Sequence, residues 1–408
     1  MAYGILGGVA GASAALGPLI GGWVTANFTW RLVFATETAV VLGLMLFLRA
    51  IPATPGRKGR LDLGGAFLSA AGLGLAVFGI LRSSQWGWIT PKAAAPFTVL
   101  GLSPVFWLIV AGRVLLGLFT RREEAVMAAG KEPLLDTRLL SIPRLRAGLT
   151  TLGSQQFIIM STFFVLPLYL QTVLGYDSLQ TGVTILPLSM GLFVFALLGA
   201  SLTTRFAPRR IVEIGLVAML VGEVLLIGFT GPNLRSLGFA IALALVGAGL
   251  GLLASQLGNI IMSSVSPERG SEAGGLQGTA QNLGASLGTA LIGSILIASL
   301  VANFQTAVLT NPTLASVSDQ IAAAAEQNAN FVSTSQVETA AEQAGLSPEQ
   351  VDAIVTGYAD AQIAALKAAF AAIALFALVA LWYVRRLPTL AVGDEPGAAP
   401  QPEEAAVV

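Results

Sequence analysis

Long apolar stretches recur along this sequence and limit it to a small set of folds. Each holds about 20 mostly apolar residues, the length an α-helix needs to cross roughly 30 Å of bilayer hydrocarbon. The composition agrees, because 55% of residues are hydrophobic and 11% are charged, whereas about 25% are charged in soluble domains. We therefore predict an all-α polytopic membrane protein with about ten transmembrane helices. The predicted spans are residues 4–26, 30–49, 63–82, 95–118, 147–171, 180–203, 211–230, 236–260, 275–302 and 365–384.

The distribution of lysine and arginine predicts how these spans are oriented. Sixteen of the 22 Lys and Arg residues fall in the segments that follow the even-numbered spans, and five fall on the opposite side. Basic residues accumulate in cytoplasmic loops, so we expect a multi-pass protein of the plasma (inner) membrane with both termini in the cytoplasm. The net charge is zero, which argues against a nucleic-acid partner.

The sequence contains neither cysteine nor histidine. This excludes thiol nucleophiles, histidine bases and the usual zinc ligand sets. The sequence also lacks a Gly-x-x-x-x-Gly-Lys-Ser/Thr loop for nucleotide phosphates. We predict no catalytic residue, no metal site and no cofactor, and we expect that the protein is not an enzyme. Any proton chemistry would fall to carboxylates.

The predicted outer loop, residues 303–363, contains seven acidic residues and no Lys or Arg. We expect helices in it, one of them capped by Ser347, with Pro348 at the first helical position and Gln350 at the third. The loop could form a lid or a partner site, or it could be a solvated connector.

The first apolar run contains the sequence GPLIGG at residues 17–22. Gly17 and Gly21 are four residues apart and share one helix face, which lets a neighbouring backbone approach closely, and Gly22 completes the motif. Pro18 removes one intrahelical hydrogen bond and adds a bend. Ordinary small-residue packing is the alternative to a dedicated motif.

The longer run GPLIGGWVTANFTWRLVF resembles the antiporter signature in the fifth span of drug:proton antiporters of the major facilitator superfamily, followed by the Trp-Arg that opens their sixth span. Further stretches resemble later parts of the fourteen-span branch in the same order. The resemblance implies a major facilitator-type helical bundle of two six-helix halves, with substrate bound between them near the membrane midplane. The further stretches are RLDLGGAFLSAAGLGLAVFGIL, KEPLLDTRLL, VLPLYLQTVLGYDSLQTGVTILP and PERGSEAGGLQGTAQNLGASLGTALIG.

On that plan, the resemblance implies that this sequence supplies spans five to fourteen and lacks the first four. Residues 1–50 would be the last two spans of the N-terminal half, and residues 51–146 the two extra central spans with a cytoplasmic loop. Residues 147–386 would be the complete C-terminal half, followed by a disordered cytoplasmic tail at 387–408. We therefore expect an N-terminally truncated transporter.

Two carboxylates, Glu37 and Glu223, fall inside predicted spans. An ionisable group in the membrane is costly to insert, so each is a candidate for proton coupling. A neutral, hydrogen-bonded buried acid, or one reached by water, is the alternative for both. The resemblance gives no role to Glu37, because the family more often has Asn at that place.

Amide and aromatic side chains suggest where a lipophilic guest would bind. Gln155, Gln156 and Phe157 come from one predicted span, and Gln281 and Asn282 come from another. These groups suit a weakly polar, water-accessible cavity. They could equally form hydrogen bonds between helices.

Residues 199–210 resemble the second inner-loop signature of the family. The matching basic residues are Arg205, Arg209 and Arg210, and Thr204 stands where an acidic residue is usual. We treat the three arginines as candidates for an inner gate. Contact with anionic lipid headgroups and a role in topology are the alternative.

Taken together, the residues and the resemblance predict a proton-coupled secondary transporter that exports lipophilic or cationic drugs. Its expected partners are membrane lipids, protons and an amphipathic or cationic organic substrate. The alternative is a non-transporting membrane scaffold, or an inactive remnant of such a transporter.

Overall fold

The computed structural model describes residues 13, 17, 20–47, 62–92, 95–130, 133–203, 205–232, 234, 237–266, 269–327 and 330–385. Residues 20–27 are helical and are called the glycine segment below. Across the described ranges no β-strand forms; one isolated bridge joins Val99 and Leu102. The further α-helices of these ranges are α1 (Arg31–Leu46), α2 (Leu63–Trp86), α3 (Pro104–Ala128), α4 (Pro143–Leu168), α5 (Ser178–Leu202), α6 (Pro208–Phe229), α7 (Leu237–Met262), α8 (Gly270–Thr310), α9 (Ser318–Gln327), α10 (Thr334–Gln343) and α11 (Pro348–Val384).

Eight helices in the described part of the chain, α2 to α8 and α11, are long and apolar enough to cross a membrane. Each overlaps a predicted span, so the predicted all-α membrane bundle is confirmed. Helix α1 overlaps the second predicted span over 16 residues. The first predicted span, 4–26, lies largely outside the described residues.

Several helices begin where the sequence supplies a cap. The predicted start of α11 is confirmed, because Ser347 and Gln350 form a reciprocal capping box and Pro348 occupies the first position. Asp177 and Gln180 do the same for α5. Helix α3 begins at Pro104, later than the apolar run from residue 95 predicted.

Helices α4 to α8 and α11 form one bundle. Helix α7 packs against α5 and α6, α8 packs against α4 and α11, and α6 also contacts α11. A Cβ on Gly247 of α7 would collide with the Leu188 carbonyl of α5, and one on Gly284 of α8 with the Gly153 carbonyl of α4. Because lipid gives helices no hydrophobic reason to associate, this close van der Waals packing is a main source of bundle stability.

Helices α2 and α3 form an antiparallel pair that rests on the bundle. The two backbones come close together because Gly72 of α2 faces α3 and Gly112 of α3 faces α2. Helix α2 contacts α8, and the Ser83 and Ser294 hydroxyl oxygens lie 3.3 Å apart. Helices α2 and α3 are therefore joined to the C-terminal bundle through α8.

Residues 311–347, called the cap below, connect α8 to α11 and include α9 and α10. Helix α8 continues to Thr310 and α11 begins at Pro348, so both long helices extend into the predicted outer loop. The cap packs against the ends of these two helices.

Candidate functional site

A cavity of about 390 Å³ lies between the glycine segment, α1 and the α4–α5 pair. Its walls come from elements on the N-terminal side of the chain and from the C-terminal bundle, so it separates the two parts. The lining is mainly apolar and aromatic, with a few hydroxyl groups and one carboxamide. The lining residues are Gly21, Gly22, Thr25, Trp30, Val33, Phe34, Phe163, Pro167, Gln171, Ser178, Thr181, Gly182 and Ile185.

The GPLIGG motif provides the contact between these parts. Gly22 is buried, and a Cβ there would lie 2.5 Å from the Ser178 carbonyl oxygen at the start of α5. Gly17 is exposed, and a Cβ on Gly17 or Gly21 would meet no atom within 4 Å. Pro18 lies outside the described residues. The motif therefore has one glycine that permits contact with α5 and two with open space beside them.

An irregular stretch of α4 forms the opposite wall. Pro167 lacks an N–H and cannot complete the helical hydrogen bond to the carbonyl four residues earlier, that of Phe163. The chain continues as a π-helical turn over Tyr169–Val173, a widening that often occurs at functional sites. Phe163, Pro167 and Gln171 from this stretch all line the cavity.

Aromatic rings from α1 and the residue before it complete the site. Trp30 and Phe34 pack edge to face with their centroids 5.8 Å apart, and the Arg31 guanidinium lies 5.7 Å from the centre of the Trp30 ring. Sequence reasoning did not single out these two rings as site residues. Their i, i+4 spacing in TWRLVF was the available signal.

Glu223 is fully buried in α6 and faces α4. Its Oε1 lies 2.7 Å from the Thr162 Oγ1, which also lies 2.9 Å from the carbonyl oxygen of Ile158. The hydroxyl carries a single proton, so a charged carboxylate has to share that proton with the Ile158 carbonyl, whereas a protonated carboxyl can donate to Oγ1 and leave the proton to Ile158. The second oxygen, Oε2, has no hydrogen-bond partner among the described residues. This geometry favours a protonated carboxyl at Glu223.

Glu37 occupies a different environment. It is exposed on α1, a helix with no buried residue in the described structure. The structure therefore does not bring the two candidate carboxylates together.

Two of the five predicted cavity side chains hold helices together. The Gln155 amide donates to the Leu250 carbonyl at 3.1 Å, and the Phe157 ring stacks on Phe376 with centroids 3.7 Å apart. Gln156 and Gln281 are half-buried. Asn282 is exposed and donates to Gly278 of its own helix.

The predicted gate arginines make local contacts or are exposed. Arg209 pairs with Glu213 of the same helix at 2.8 Å, while Arg205 and Arg210 are exposed. Salt bridges between elements form elsewhere, between Arg269 and Asp136 at 2.6 Å and between Arg122 and Asp62 at 2.7 Å. Sequence reasoning did not assign these pairs, although both acids belong to stretches that carried the family resemblance.

The Asp136–Arg269 pair joins the segment after α3 to the start of α8, whereas the Asp62–Arg122 pair joins α2 to α3. Asp136 accepts from Arg269 just before α8, and its backbone N–H donates to Glu272 in the first turn of α8 at 3.0 Å. Asp62 caps α2 and also accepts from Arg122. The Arg122 hydrogen bond, with help from the Gly65 N–H, lowers the pKa of Asp62 from 3.8 to about 2.

Comparison with known proteins identifies the family. The family model described as Major Facilitator Superfamily matches residues 1–289, which is more than half of the chain. The chain belongs to the major facilitator superfamily. In this major facilitator protein the match covers the glycine segment, Glu37, Glu223 and the first part of α8, and it ends before the cap.

Drug-resistance and export proteins are among the relatives of this major facilitator chain. It is 31% identical over 311 residues to the tetracenomycin C resistance and export protein of Streptomyces glaucescens, covering 74% of this chain and 53% of that protein. It is 30% identical over 300 residues to the puromycin resistance protein pur8 of Streptomyces alboniger, covering 72% and 56%. It is 25% identical over 307 residues to the multidrug resistance protein Stp of Mycobacterium tuberculosis, covering 74% and 54%. The chain thus spans about half the length of each relative.

Proposed function

We propose that this chain takes part in proton-coupled export of lipophilic or cationic organic compounds, as part of a fourteen-span transporter. The family match and the resistance and export proteins among its relatives support this proposal. The order of the sequence motifs supports an assignment to spans five to fourteen. In such a transporter, two halves rock about a site between them and expose it to alternate sides of the membrane.

The observation that carries the proposal is the cavity between the glycine segment and α4–α5. Its volume of about 390 Å³ falls within the range of ligand pockets, roughly 300–1,000 Å³. The rings of Trp30, Phe34 and Phe163 offer apolar area, and an aromatic face attracts a cation. Gln171 can orient a weakly polar group. An amphipathic, ring-containing substrate suits this lining.

We assign the antiporter motif, Gly17, Pro18, Gly21 and Gly22, to the moving contact between the two parts. The close fit of Gly22 against the Ser178 backbone lets the glycine segment approach α5. Rocking would open this contact and change the shape of the cavity beside it.

Glu223 is our first candidate for the proton carrier. A buried carboxyl with one free oxygen can release its proton only when water or a base reaches it. Thr162 could then turn its hydroxyl proton from Ile158 to the carboxylate, which would compensate part of the new charge. Glu37 is the second candidate, on the exposed face of α1.

The remaining assignments complete the proposal. The half-buried Gln156 and Gln281, with Asn282, would contact substrate when the halves move, while Gln155 and Phe157 would hold α4 in place. Both termini would be cytoplasmic. Arg205, Arg209 and Arg210 would then lie at the inner surface, where they can contact anionic lipid headgroups.

Proteoliposomes loaded with ethidium test the proposal. With the four preceding spans supplied, we expect an imposed pH gradient to drive ethidium across the membrane, and a protonophore to stop it. Glu223→Gln should abolish the response to the gradient, whereas Glu124→Gln, the same change at an exposed position of α3, should preserve it. A complete assembly that neither moves ethidium nor responds to the gradient would refute the proposal.

A further inference from the structure

A second cavity lies in the cap, away from the site between the two parts of the chain. Its volume is about 320 Å³, and it is bordered by the C-terminal part of α8, by α9 and α10, and by the start of α11. Phe304 and Tyr358 form its aromatic wall, with ring centroids 5.4 Å apart and an edge-to-face orientation. Ala325 and Ala341 line it from α9 and α10.

The small side chains of α9 and α10 explain why the space is open. Alanine leaves a helix surface without bulk, so two alanine-rich helices facing an aromatic pair leave a gap between them. Apolar walls offer few of the polar partners that hold water in place, so they suit apolar guests. A cavity of about 150 Å³ can hold benzene, and this one has about twice that volume.

The cavity is held open by contacts between the cap and α11. The Tyr358 hydroxyl donates to the Asn330 carbonyl and accepts from the Val332 N–H, both at 3.1 Å. One turn further along α11, Gln362 is fully buried and its amide donates to the Val332 carbonyl at 2.7 Å. These bonds fix the segment before α10 onto α11. The site is therefore built before a ligand arrives.

The rim has a different chemistry from the interior. Asn330 and Gln336 line the cavity and are both exposed. Gln336 uses its side-chain oxygen to cap α10, which leaves its amide N–H groups available. A ligand with an apolar body and one polar edge would satisfy both regions.

We propose that the cap contains a binding site for a small neutral aromatic compound of about two fused rings. The rings would lie between the Phe304–Tyr358 pair and the alanine faces of α9 and α10, with any polar substituent at Asn330 and Gln336. This site does not depend on the proposed export, because binding can be measured on protein that transports nothing.

Photolabelling of the purified full chain in detergent tests the proposal. A phenyl diazirine probe should label peptides from α9 and α10 in a saturable way, and excess naphthalene should displace it. The exposed apolar residues Val183 and Leu197 of α5 supply an internal reference, since detergent-facing positions should label without saturation.

Two variants fill the cavity and one serves as a control. Ala341→Phe and Ala325→Phe should each reduce cap labelling at least fivefold relative to α5. Ala323→Phe, at an exposed position of α9 outside the cavity lining, should leave it unchanged. If Ala341→Phe impairs folding, which would be seen as the loss of its thermal transition, the labelling of Ala325→Phe tests the proposal. The proposal fails if labelling is confined to the membrane helices, if naphthalene does not displace the probe, or if the filled variants label like the control.

Discussion

Glu223 and Thr162 form an isolated polar contact inside an apolar bundle, so small changes to either side chain reveal the state of the carboxyl. Glutamine keeps the shape of a neutral carboxyl, and we expect Glu223→Gln to change the free energy of unfolding by less than about 1 kcal/mol. Thr162→Val removes the hydroxyl and leaves the buried carboxyl without its partner, at a cost of about 1–3 kcal/mol. Thermal and denaturant unfolding in detergent measures both.

Thr162→Ser is the matched control, because it keeps the hydroxyl and should behave like the unchanged protein. Strong stabilisation by Glu223→Gln would contradict the protonated state, since it would mean that the native carboxyl is charged and costly to bury.

Asp62, which caps α2, provides a pH-dependent test. The pKa of Asp62 in the folded protein, about 2, lies below the usual 3.8. Between these two pH values the native state therefore binds fewer protons than the unfolded state. The ion pair with Arg122 therefore stabilises the fold fully above about pH 4, and this stabilisation is lost as the pH falls through about 2. We expect Asp62→Asn to melt at a lower temperature than the unchanged protein at pH 7, and the difference to disappear near pH 2.

Asparagine caps a helix about as well as aspartate, so Asp62→Asn tests the charge and leaves the start of α2 intact. Melting curves of both proteins recorded from pH 7 to pH 2 are sufficient. A difference that stays constant over this range would mean that Arg122 is not the source of the stabilisation.

At the scale of elements, the sequence predicted which segments form membrane helices better than it predicted the residues at which those helices begin and end. Residues 95–103 are part of an apolar run, yet α3 begins at Pro104, because Leu100 and Gly101 both adopt positive φ. Hydropathy counts apolar side chains and is blind to backbone conformation. The start of α11 was predictable, because the Ser347 capping box is a local signal that needs no tertiary information.

The glycine segment gives an element-scale prediction with its own control. Gly22→Ala would place a Cβ 2.5 Å from the Ser178 carbonyl oxygen, so the segment must move away from α5. We expect Gly22→Ala to lower the free energy of unfolding by about 1–3 kcal/mol. A Cβ at Gly21 would have no atom within 4 Å. Gly21→Ala should therefore stabilise the helix by up to about 1 kcal/mol, because alanine has a higher helix propensity than glycine. Unfolding temperatures in detergent should therefore rank Gly21→Ala above Gly22→Ala, and the reverse order would contradict the contact with α5.

At the scale of the whole molecule, the candidate site was less predictable than the fold. The GPLIGG motif and Glu223 stood out because glycine spacing and an intramembrane charge are visible in the sequence. The cavity walls at Trp30, Phe34 and Pro167 depend on which helices meet, and a single sequence does not encode that as a local pattern. The same holds for the Asp136–Arg269 pair, whose members are 133 residues apart.

Orientation in the membrane is the prediction on which the whole molecular scheme depends, and the absence of native cysteine makes it directly measurable. Thr203, just after α5, and Ser335, in α10 of the cap, are both exposed and are separated by three membrane-length helices. Because basic residues are retained in the cytoplasm, an impermeant maleimide added to intact cells should label Ser335→Cys and leave Thr203→Cys unlabelled until the membrane is opened. Labelling of Thr203→Cys in intact cells would reverse the topology and place the cap in the cytoplasm.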